Sequence, residues 1–90
     1  MRQRYPAYDK RIKPGALVRP FNYTTISAIY ADKINMPNDV RYYYWNDSVI
    51  GLVLKKMNRK NSFLDWLYPD IHVLVEDKVV IISANKIAAV

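Results

Sequence analysis

The side chain in this 90-residue chain best suited to acid–base chemistry at neutral pH is its single histidine, His72. A histidine works as a general base or metal ligand when a carboxylate orients it and a nucleophile or second ligand stands close by. Asp70 lies two residues earlier, on the same side of any extended strand. The other carboxylates, Asp32, Asp39, Asp47, Asp65, Asp77 and the sole glutamate Glu76, are scattered. Most of them stand at turns, where a short carboxylate caps backbone N–H groups, and no pair is singled out for acid–base work. Cysteine is absent, which removes thiolate nucleophiles, disulfides, Cys-bound zinc and iron–sulfur clusters. The two glycines, Gly15 and Gly51, are too far apart for a phosphate-cradling loop. The reading is therefore non-enzymatic: no catalytic residue, no metal site and no cofactor. His72 reads as a surface histidine.

Two groups of residues are built to bind. The first is a basic N-terminal arm over residues 1–14, in which Arg2, Arg4, Lys10, Arg11 and Lys13 are opposed only by Asp9. Most of the formal charge of +6 sits there, and the remaining body is nearly neutral. With Tyr5 and Tyr8 between its cations, the arm could follow a phosphate backbone and stack on bases, or reach across a protein neighbour. The second group is aromatic: Tyr42, Tyr43, Tyr44 and Trp45 in succession, then Trp66 and Tyr68. On a strand of period two, Tyr42 and Tyr44 share one face while Tyr43 and Trp45 share the other. One face can enter a core, and the other is left for a covering loop or a partner.

These groups must be carried by a small, mainly β scaffold. Apolar residues make up 51% of the chain, with many isoleucines and eight tyrosines, residue types that favour strands. The longest apolar run, 49–54, is far short of the roughly 18 residues of a membrane span. The basic start lacks the apolar run of a signal peptide. After Pro14-Gly15, Ala16 to Phe21 reads as a first strand, with Leu17 inside. Two readings stay open for 24–47: a short helix over 26–34 capped by Thr25, or a long ordered loop carrying a strand at 41–45. Val49 to Met57 reads as a strand buried on both faces, with Gly51 allowing a bend or bulge. Asn58 to Ser62 is a polar turn. Ile71–Val75 and Val79–Ile82 form a hairpin about Glu76-Asp77-Lys78, with Ile71, Val73 and Val75 on one face. Residues 83–86 make one helical turn, and 87–90 a last strand. The expected core contains Leu17, Val53, Val73, Val75 and Ile81. The expected organisation is a basic arm over 1–14 and a single five-stranded, partly open barrel over 15–90 with a long first loop.

Lys13-Pro14-Gly15-Ala16-Leu17-Val18-Arg19, Ile50-Gly51-Leu52-Val53-Leu54, Val73 to Val80 and a closing strand at Ile87 together form a pattern. It resembles that of the SH3-like small barrels of tailed bacteriophages, and more distantly KOW-type barrels. The resemblance covers a little over half of the chain and departs from the family in lacking the hairpin glycine after Asp77. It implies a virion-associated structural or assembly protein, found in the virion or the infected-cell cytoplasm, that docks on another viral protein or on itself. A nucleic-acid-binding small barrel is the alternative, and an inhibitor of a host enzyme a third. No membrane partner is expected.

Overall fold

The computed structural model describes residues 8–33, 42–58, 64 and 67–90. They contain seven strands: β1 Leu17–Pro20, β2 Thr25–Tyr30, β3 Tyr42–Asn46, β4 Gly51–Lys56, β5 Asp70–Val75, β6 Lys78–Ser83 and β7 Ile87–Ala89. All pair antiparallel in one sheet of order β3-β2-β6-β5-β4-β1-β7, curled into a half-barrel. The barrel-like, all-β expectation holds, but the count is seven strands rather than five. The only helical elements among the described residues are 3-10 turns such as Ala31–Lys33 and Ala84–Lys86.

The additional strands arise where a long loop or a helix over 26–34 was expected. Thr25 to Tyr30 alternates instead, burying Ile26 and Ala28 while exposing Thr25 and Ser27. Helical spacing would place Ile26, Ile29 and Tyr30 on one stripe, but β-branched residues are stiff at χ1 and suit a pleated surface better. The strand pairs with β3 in full register, Ile26 opposite Trp45 and Ala28 opposite Tyr43. It joins the rest of the sheet by pairing Ile29 with Ile81 and Tyr30 with Val80.

The concave side of the half-barrel holds the core, where Val18, Val53, Val73, Val75 and Val80 meet Ile26, Ala28 and Trp45. The β5–β6 hairpin turns on Glu76 and Asp77, both in the left-handed region at φ of 48° and 66°. A two-residue turn of this twist normally carries Asn-Gly or Asp-Gly. Here the Tyr43 hydroxyl, brought across from β3, donates to the Glu76 carboxylate and holds the first turn residue.

Three expectations about faces are corrected. Leu17 points outward and is 52% exposed, because Val18 takes the inward position on β1. β4 is buried on one face only, with Gly51 and Val53 inside and Leu54 exposed. Its bulge lies between Val53 and Lys55, not at Gly51. What Gly51 provides is space. A Cβ there would stand 2.5 Å from Val73 Cγ1 and 2.9 Å from Trp45 Cζ2. Elsewhere a strand glycine replaced by alanine gains about 0.5–1 kcal/mol from lost backbone freedom in the unfolded chain. Here crowding should outweigh that gain. We expect Gly51→Ala to destabilise the fold by about 1–3 kcal/mol in urea denaturation; a neutral or stabilising result would mean that Trp45 does not pack there.

Candidate interaction surface

The aromatic run splits by parity. Tyr42 and Tyr44 face outward at 52% and 69% exposure, while Trp45 is fully buried. Tyr43 is half-buried and packs edge-to-face on Tyr30, ring centroids 6.1 Å apart. Burial, then the neighbouring Glu76 carboxylate, pushes the Tyr43 phenol up to about 12. Trp45 places its indole N–H 2.7 Å from the Val49 carbonyl. That carbonyl follows a turn in which Val49 N donates to Asn46 O and Ser48 N to the Asn46 side chain.

β3 is an edge strand, pairing only with β2 among the described residues. Asp47 N donates to Thr24 O at 2.9 Å, so Thr24 and Asp47 form a hydrogen-bonded pair. Antiparallel ladders alternate such pairs with non-bonded ones. Ser27/Tyr44 and Ile29/Tyr42 are then the non-bonded pairs, and the backbone N–H and C=O of Tyr42 and Tyr44 point away from the sheet. Two exposed tyrosines therefore flank a row of backbone groups with no ladder partner among the described residues.

The opposite edge, β7, is capped at one point by the arm. Asp9 accepts the outward-pointing Ala89 N–H at 2.9 Å, and it also binds Arg11 through backbone N, Nε and Nη2. Those bonds to Arg11 and Ala89 hold the Asp9 carboxyl well below the usual carboxylate range. Ile12, three residues on, is fully buried in the core. Residues 8–14 thus lie docked on the sheet. Lys10 sits 3.8 Å above the Tyr8 ring, with Lys56 at 4.9 Å. Burial opposes ionisation of Tyr8, but Lys56 and Lys10 outweigh it and lower its pKa. Lys13 is exposed. Arg2, Arg4 and Tyr5 lie outside the described residues, as does Trp66. Tyr68 packs half-buried against the core, apart from the exposed tyrosines.

A second basic surface appears that the sequence reading did not single out. Arg11, Arg19, Phe21 and Tyr23 line an open groove of about 630 Å³, and Lys86 lies 5.0 Å from the Tyr23 ring. Phe21 and Tyr23 are both exposed because Asn22 between them takes φ 67° and turns the chain. An Asn two residues after Pro20 was the available signal for that turn.

His72 is half-buried on β5. Burial and nearby Lys55 lower its pKa against the opposing pull of Asp70. Asp70 is itself buried and accepts the Leu64 N–H at 3.3 Å. Among the described residues no group of three or more His, Asp or Glu side chains could hold a metal ion. No helix among them is long and apolar enough to cross a membrane.

The Asp9 bonds should appear in the pH dependence of stability. Arg11 is mostly in water, so the ion pair itself contributes little. The Ala89 and Arg11 backbone N–H bonds contribute more, about 1–2 kcal/mol together. A carboxyl whose folded pKa lies below its unfolded value, near 3.9, stabilises fully above that value and progressively less as pH falls. The stability difference between wild type and Asp9→Ala should therefore be largest at neutral pH and begin to shrink below about pH 4. A difference unchanged across acid pH would remove Asp9 from the account.

No protein-family model, no curated protein and no solved structure matches the chain.

Proposed function

We propose that this chain is a non-enzymatic interaction module that docks on a partner protein through the β3 edge. The observation carrying this reading is the pair of exposed tyrosines, Tyr42 and Tyr44, beside backbone groups that no other strand among the described residues engages. An extended partner segment can add to such an edge, drawing affinity from main-chain hydrogen bonds and specificity from flanking side chains. Tyrosine suits the role because it brings a large rigid contact with a polar tip. On the opposite edge the arm covers one such group, the Ala89 N–H held by Asp9, whereas β3 offers its row to an added strand. On the sequence resemblance, the partner would be a structural or assembly protein of a tailed bacteriophage, met in the virion or the infected cell. An inhibitor of a host enzyme would use the same surface.

The second reading is a small nucleic-acid-binding barrel. It is favoured by Arg11, Arg19 and Lys86 standing among Phe21 and Tyr23, cations interleaved with rings that could stack on bases. Against it, Asp9 neutralises Arg11, and Lys10 is turned onto Tyr8.

Affinity capture from the native source, after nuclease, compares wild type with a Tyr42→Ala/Tyr44→Ala variant. The variant should keep wild-type stability within about 1 kcal/mol, since both rings already lie in water. A defined protein retained by wild type and lost by the folded variant is the expected result. Retention indifferent to both tyrosines would overturn the β3 reading. Binding that vanishes with nuclease, or duplex DNA affinity falling steeply with salt, would put the second reading first.

A further inference from the structure

We propose that the convex face of the sheet is a self-association surface, on which a second copy of this chain packs about a two-fold axis along β4. Outward residues of an antiparallel sheet with one solvated face are ordinarily polar. Here the register lines up aliphatic residues instead. Leu17 pairs with Leu52, Leu52 with Leu74, and Leu74 with Val79. Val90 joins the row, because its N–H donates to the Leu17 carbonyl. The row crosses β7, β1, β4, β5 and β6. Along β4 it is crossed by Ile50, just before the strand, and by Leu54 at the bulge. Leu52, at the crossing, is half-buried, and the other six are exposed.

Three features select a second copy as the occupant. The patch is purely aliphatic, like a domain core cut in half, which is the character of homodimer interfaces. A transient partner's hot spot is rich in Tyr and Trp, and the exposed tyrosines lie elsewhere, on β3 and at Tyr23. The exposed parts of the patch amount to roughly 450 Å², within the range of the largest apolar patches of monomers, which are often functional. Symmetry then matches charge. β1 and β5 run in the same direction, so a two-fold axis along β4 sets Leu52 on Leu52 and Leu17 on Leu74. The same operation brings Arg19, two residues past Leu17, to the hairpin turn that follows Leu74, where Asp77 is exposed. Arg19 is exposed and has no ion pair among the described residues. Lys55, nearer the axis, is exposed on a stem long enough to turn its ammonium to water.

The test is independent of the β3 reading. Wild type should sediment as a dimer at micromolar concentration, and Leu74→Glu should raise the dimer dissociation constant at least about tenfold. If Leu74→Glu fails to fold by circular dichroism, Leu17→Glu, at a more exposed position, serves in its place. The chain has no cysteine, so Leu52→Cys introduces a single thiol on the axis, and mild oxidation should link it across the dimer. Tyr44→Cys, far from the axis, should link poorly. A wild type that stays monomeric through the micromolar range overturns the proposal, and would assign the patch to a foreign protein or a lipid surface. So does a dimer indifferent to both glutamate variants, or one that links through Tyr44→Cys as readily as through Leu52→Cys.

Discussion

The indole of Trp45 lying over Gly51 is the contact on which the rest of the fold depends. The strands among the described residues form a single sheet, with no second one among them to cover its concave side. The half-barrel is instead filled from its own edge, by a ring carried on β3 and inserted against β4 and β5. A buried tryptophan contributes on the order of 3–5 kcal/mol, a large fraction of the roughly 5–15 kcal/mol that a small domain possesses. Its N–H is satisfied by Val49, so burial leaves no orphan donor. The position opposite must be glycine because a methyl group would collide with both Trp45 and Val73.

That contact also explains why the aromatic run behaves as two pairs. Once Trp45 is committed inward, alternation commits Tyr43 inward with it, and the Tyr43 hydroxyl reaches the Glu76 turn. Tyr42 and Tyr44 are forced out by the same geometry. Core closure and surface display are two outcomes of one register. Binding through Tyr42 and Tyr44 therefore need not disturb the core, whereas any slip of β3 would lose both together.

Much of this was legible in the sequence. The β5–β6 hairpin, the helical turn at 84–86, the last strand and the parity of residues 42–45 follow from local alternation and turn residues. Leu17 and Val18 were misassigned because two adjacent apolar residues fit either face, and only pairing with β4 decides between them. β4 read as buried on both faces because Leu52 and Leu54 are as apolar as Val53, although they face outward. The patch on the convex face is hidden in the sequence for the same reason. An exposed leucine and a core leucine are the same letter, and only the register of five strands shows the outer ones in a row. β2 was obscured because Ile26, Ile29 and Tyr30 also fit a helical stripe. The arm read as a charged extension because its fully buried anchor, Ile12, sits among cations.

The most direct measurement is hydrogen exchange of the Trp45 indole N–H, followed by NMR. If the ring closes the half-barrel, this proton should exchange only when the sheet opens, with protection equal to that of the slowest β4–β5 amides. An indole proton exchanging at the rate of a solvent-exposed tryptophan while those amides stay protected would contradict the account.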